Sequence, residues 1–198
     1  MEADWAVETG GPAPVIEVFW AGWIDLRDGF RDGSPAIAQV VEAARLPALA
    51  EALRSLNAPQ SPVWTSKCDL WPIVPSDLPD PDEMDAHSEE VVAGLACYID
   101  CLPRHHRLFP TLGEALRWAR QVVVELFRIP CRSSRVDLVI RRAIGGGSDP
   151  SDGFGVTAYI SGCGMDAARA ERSLSEALRA FVDAVTASAI HATAPATE

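Results

Sequence analysis

Apolar residues recur along the chain in two rhythms, and each switch between them marks a predicted element. Residues 1–13 are polar and carry Gly and Pro, and read as a flexible N-terminal arm. Val15 to Leu26 is rich in β-branched and aromatic residues and predicts a strand. Ser34-Pro35 then offers an N-cap and a first-turn proline, with Ile37, Val40, Val41 and Ala44 at helical spacing behind it. Pro47 interrupts, and Leu49, Leu53 and Leu56 carry the period on, which predicts two short helices or one kinked one. Val63 to Trp71 predicts a second strand.

The second half repeats the alternation. Val91 to Leu102 carries both signals: Val92, Leu95, Ile99 and Leu102 fit a helix, while Gly94 and the β-branched run favour a strand. Thr111 and Glu114 have capping-box spacing ahead of Leu112, Leu116, Ala119, Val123 and Leu126, which share one helical face. Arg135 to Ile144 and Phe154 to Cys163 predict strands joined by a glycine-rich hairpin connection. A last helix from about Asp166 should bury Leu174, Leu178, Phe181 and Val185, with 188–198 as a flexible tail.

The order β-α-β-β-α-β-β-α predicts an α+β fold: a mixed, mostly antiparallel sheet with helices packed on one face. One domain would span 14–187, with possible halves 14–73 and 90–187 joined by an acidic, proline-rich loop at 74–89. A short phrase hints at divergent duplication. An aromatic, an isoleucine and an oxygen-bearing residue recur as Trp23-Ile24-Asp25, Tyr98-Ile99-Asp100 and Tyr159-Ile160-Ser161. On a strand the isoleucines should face the helices, and the aromatic and oxygen-bearing side chains should share the opposite face. That face could hold a cationic or polyhydroxyl ligand, or basic side chains of another protein. The plain alternative is a solvated face using rings that tolerate half-burial.

Composition narrows the classes. At 198 residues and 48% hydrophobic content the chain can bury a sizeable core. No apolar run approaches the roughly 20 residues that cross a bilayer, and the start lacks the pattern of a secretory signal. A soluble, cytoplasmic protein is expected. Five scattered cysteines fit buried free thiols better than a disulfide framework. The net charge of −11 is unevenly spread: residues 1–100 hold 5 basic and 18 acidic residues, and 101–198 hold 12 and 10. Such a molecule steers partners of opposite sign, and nucleic acid is a poor partner for its acidic half.

Sites with a known chemical pattern are weak. Cys97 and Cys101, four apart on a strand, stand about 13 Å from each other, and adjacent His105 and His106 point apart, so no metal or cofactor is expected. Ser161-Gly162-Cys163-Gly164 lacks a nucleophile elbow, Gly145–Gly147 lacks a phosphate-loop lysine, and Cys131 beside Arg132 is a common helix-exit pattern. The stretch Asp77, Asp80, Asp82, Glu83, Asp85, Glu89 and Glu90 is either a solvated linker or a docking surface for a basic partner, with Trp64 and Trp71 as aromatic anchors beside it.

The expectation is a non-enzymatic, acidic protein-binding module, of the kind that inhibits or gives immunity to a basic protein such as a nuclease. Its binding residues would be Trp23, Asp25, Tyr98, Asp100, Tyr159, Ser161, Asp80, Asp82, Glu83 and Asp85. Two rival classes remain. One is a hydrolase-like enzyme using Asp25, Asp100 and Ser161 at strand ends with Arg104, His105 and His106. The other is a structural subunit of a larger assembly.

Overall fold

A computed structural model describes residues 1–8, 10, 36–106, 108–145 and 151–192. Alternation builds its sheet. In Ser134–Gly145 (β4), Val136, Leu138 and Ile140 are fully buried, while Arg135, Asp137 and Arg141 stand half-buried on the other side. Ser151–Gly164 (β5) pairs antiparallel with β4 over twelve positions, so its Val156, Ala158 and Ile160 join the same buried layer. Ala93–Pro103 (β3) pairs antiparallel with β5, and Val63–Ile73 (β2) pairs antiparallel with β3.

The fifth strand corrects the reading of the first residues as a flexible arm. Glu2–Glu8 (β1) lies parallel to β4 at one sheet edge, Glu2 beside Arg135 and Glu8 beside Arg141. Its Ala3, Trp5 and Val7 join the buried layer, and Glu2, Asp4 and Glu8 face the other way. The expected strand at 15–26 and the Ser34-Pro35 helix entry lie outside the described residues. The sheet order is β1-β4-β5-β3-β2, mixed and mostly antiparallel.

The helices cover one face of this sheet. Val41–Arg45 (α1) and Pro47–Asn57 (α2) are separated at Leu46, where Pro47 opens the second helix, so of the two expected forms the chain takes two short helices. Leu112–Leu126 (α3) starts at Thr111, whose hydroxyl accepts the Glu114 amide. Ala167–Ala192 (α4) starts beside Asp166, whose carboxylate accepts the Arg169 amide. α4 lies across β5, β3 and β4 and touches both α2 and α3. It runs to Ala192, past the point where a tail was expected.

Leu174, Leu178, Phe181 and Val185 of α4 meet Ile99, Leu138, Ile140 and Ile160 in one core. Each fully buried Leu or Ile there contributes about 1.5–3 kcal/mol over an exposed one. α4 comes so close to β5 that Gly162 has no room for a side chain: a Cβ there would stand 2.1 Å from the Leu174 nitrogen. Among the described residues, no helix is long and apolar enough to cross a membrane. The first unit of the possible duplication begins with the expected strand at 15–26, which lies outside the described residues.

Candidate functional site

The sheet face away from the helices carries the polar half of every strand's alternation. Register places its side chains in rows that cross the strands. One row runs Asp4, Asp137, Tyr159, Tyr98, Asp69 from edge to edge. The next, toward one end, is Glu2, Arg135, Ser161, Ala96, Trp71. On the other side come Val139, Thr157 and Asp100. Asp4 and Asp69 are exposed, and Asp137, Tyr159, Tyr98 and Trp71 are half-buried.

Three rings form a strip along this face. Trp71 and Tyr98 have centroids 6.2 Å apart and Tyr98 and Tyr159 have centroids 6.1 Å apart, all tilted, as ring quadrupoles prefer. At the β1 side the strip ends on Arg141. Its guanidinium carbon lies 5.5 Å from the Tyr159 centroid, Nη1 donates to the Tyr159 hydroxyl at 3.0 Å, and Nε donates to Glu8 at 2.7 Å. Contact with Arg141 holds the exposed Glu8 carboxyl below its usual range. Arg135 likewise donates Nε to both oxygens of Asp137, at 2.9 and 2.8 Å.

Beside the strip, Asp100 is buried and accepts the Thr157 hydroxyl at 2.6 Å. Burial pushes its carboxyl above the ordinary range, against the opposing pull of Thr157, Lys67 and Arg141. The register of β2 slips between Thr65 and Cys68, so two residues, Ser66 and Lys67, oppose Asp100. The field here is negative. Burial first, then the carboxylates of Asp100 and Asp69, pushes the Tyr98 phenol up to about 12. Burial, then Glu42, Asp69 and Asp100, likewise pushes the Cys68 thiol up to about 12.

Both ends of the face are roofed. At one end the acidic segment folds back as three short 3₁₀ turns, Pro75–Asp77, Pro81–Met84 and Ser88–Glu90. Leu78 sits over Gly94, where an added Cβ would come within 3.0 Å of both Leu78 and Ile73. Met84 is wholly buried, Arg132 donates to the Asp85 carbonyl and lies 3.9 Å from Glu90, and the two later turns touch β4 and β5. The backbone is thus pinned while Asp77, Asp80, Asp82, Glu83, Asp85 and Glu89 point to solvent. At the other end, Trp64, Leu102, Leu108 and Ala143 form a second small core.

Of the residues singled out from sequence, Tyr98, Asp100, Tyr159 and Ser161 do share this face, and Ile99 and Ile160 are buried on the helix side. Trp23 and Asp25 lie outside the described residues. Asp80, Asp82, Glu83 and Asp85 rim the face through the roofing segment. Among the described residues, Asp100 and Ser161 of the enzyme reading are not brought together. Thr157, which is opposite Asp100, and Ser161 are four residues apart on β5, about 13 Å at strand rise. Arg104 is no part of an exposed basic loop. Its guanidinium bonds the carbonyls of Leu56, Ala58, Ser61 and Val63 at 2.7–3.3 Å, capping the end of α2. His105 and His106 remain exposed. Trp64 is core, whereas Trp71 belongs to the strip.

All five cysteines are free thiols, four of them buried. Among the described residues no three His, Cys, Asp or Glu side chains gather where they could hold a metal ion. Thr157, Arg141, Asp137 and Asp69 are site residues that sequence reasoning passed over. For Arg141 and Asp137 the signal was present, since they alternate with Val136, Leu138 and Ile140. Their meeting with Tyr159 depends on pairing between strands, which alternation does not specify. Comparison with protein-family models, curated proteins and solved structures returns no match to this chain.

Proposed function

We propose that this chain is a non-enzymatic binding module whose open sheet face and acidic rim dock a basic protein. The observation that carries this reading is the placement of the acidic segment. Leu78 over Gly94 and the Arg132 contacts hold its exposed carboxylates at the margin of the Trp71–Tyr98–Tyr159 strip. Rings supply buried contact area, and like charges around them steer an oppositely charged partner and reject acidic ones. The arginines of the face add little net positive charge, because Arg135 and Arg141 are each paired with a carboxylate. A partner with a cationic active site, such as a nuclease, fits this chemistry, since carboxylates can occupy positions that phosphates would take.

The test is capture from native extract at low salt, run beside a variant with Asp80→Asn, Asp82→Asn, Glu83→Gln and Asp85→Asn. A basic protein should be retained by the natural chain, released by salt and lost with the variant. Recovery of only the chain itself, or equal retention by the variant, overturns the reading.

A further inference from the structure

Among the described residues, a guanidinium covers the aromatic strip at one end and none does at the other. At the β4–β5 end, Tyr159 carries Arg141 over its ring, with Glu8 behind the guanidinium. On the helix side the same device recurs, with the Arg120 guanidinium 4.7 Å from the Trp5 centroid. At the β2–β3 end, among the described residues, no guanidinium lies over Tyr98 or Trp71. Yet the other components are there: two tilted rings, the exposed Asp69 carboxylate opposite Tyr98, and the buried Asp100 one residue row away. Among the described residues, the cations acting on Asp100 are Lys67, across the bulge, and Arg141, already held by Glu8 and Tyr159.

We infer that Trp71, Tyr98 and Asp69 form the seat for an arginine side chain of the basic partner. This rests on the docking reading above and names its anchor. An arginine entering there would repeat the Tyr159–Arg141–Glu8 arrangement from outside. Its guanidinium plane would stack on a ring and its N–H groups would donate to Asp69. Charge supplies the complementarity: among the described residues this half of the face has the carboxylates of Asp69 and Asp100 and the ammonium of Lys67, and the Tyr98 hydroxyl stays protonated through the physiological range. Lysine fits less well, because its ammonium is strongly hydrated and cannot stack as a plane.

The test uses the full chain, ¹⁵N-labelled, titrated with three acetylated peptides that differ at one central residue: arginine, lysine or citrulline. The arginine peptide should shift amides around 69–71 and 96–98 and bind about fivefold tighter than the lysine peptide, with no binding by citrulline. Asp69→Asn and Trp71→Leu should each weaken the arginine peptide about fivefold, with unchanged thermal midpoints confirming the fold. The acidic-rim variant should weaken the arginine and lysine peptides alike. Equal affinity for arginine and lysine, shifts that fall elsewhere, or indifference to both Asp69→Asn and Trp71→Leu overturns the inference. Should those failures accompany successful capture of a basic protein, the anchor falls and the docking surface stands. An arginine peptide seated on the strip with no protein captured leaves the anchor standing without the docking reading.

Discussion

The two faces of this sheet come from the same strands, residue by alternate residue, yet different kinds of contact hold them. On the helix side, aliphatic side chains and close backbone approach leave no slack: Ile99, Leu138, Ile140 and Ile160 are fully buried under α4. On the open side, side-chain ends meet one another: Arg141 with Tyr159 and Glu8, Arg135 with Asp137, Asp100 with Thr157. A packed face resists change through shape. A polar face is defined by charge and hydrogen bonding, and can trade an internal partner for an external one.

Glycine offers the sharpest way to break that contrast. Gly162→Ala forces a Cβ onto the backbone of α4 and should cost about 3 kcal/mol or more, or prevent folding. Gly94→Ala on the open face meets the side-chain ends of Ile73 and Leu78, which can shift, and the Ile73 Cβ at 3.0 Å but no backbone atom, and should cost less, about 1–2 kcal/mol. Chemical denaturation of the two variants measures the difference, and equal losses would show that the roofing segment is as rigid as the helix layer.

Arg104 stands between the two regimes, a polar side chain used as structure. Arg104→Met leaves the carbonyls of Leu56, Ala58, Ser61 and Val63 without their charged donor and should cost about 2 kcal/mol. Amide exchange should rise first at the end of α2 and the start of β2. The same junction is held by Asn57, whose amide donates to Leu53 and Thr65 and accepts the Thr65 amide. Uniform exchange across the chain would mean that the cap acts through the whole fold.

The smallest effect concerns Asp100. Its carboxyl is held above the ordinary range, so the folded chain keeps that proton more tightly than the unfolded chain does. The stability that this group contributes is therefore fully present below the unfolded value of about 3.9 and is lost as pH rises through the folded value. Asp100→Asn removes this contribution. Unfolding followed against pH should show wild type losing stability relative to the variant through that window and then running parallel to it. Parallel curves throughout would place the carboxylate in an environment as polar as water.

The elements visible in the sequence were those whose signal is local. The Thr111 cap, the helix start near Asp166, Pro47 and the alternation of β2 to β5 each announce themselves within a few residues. The α+β class and the one-sided helix layer follow from them. β1 was legible too, because Ala3, Trp5 and Val7 alternate with Glu2, Asp4 and Glu8, but its three carboxylates read as a polar arm. The sheet order was not legible, since neighbours such as β1 and β4 are distant in sequence. Arg104 looked like a solvated charge for the same reason: its carbonyl partners lie more than 40 residues away. The candidate site was half-legible. Alternation put Tyr98, Asp100, Tyr159 and Ser161 on one face, but register decided that Asp100 meets Thr157 and that Tyr159 receives Arg141.

The parallel pairing of β1 with β4 also sets a clock. Glu2 pairs with Arg135, a separation of 135 − 2 = 133 residues. At about 5–20 residues per second of synthesis, β1 waits on the order of ten seconds for the strand beside it to be made. A β1 edge that is late to close must be kept from other chains meanwhile, and Glu2, Asp4 and Glu8 place charge along it through that interval.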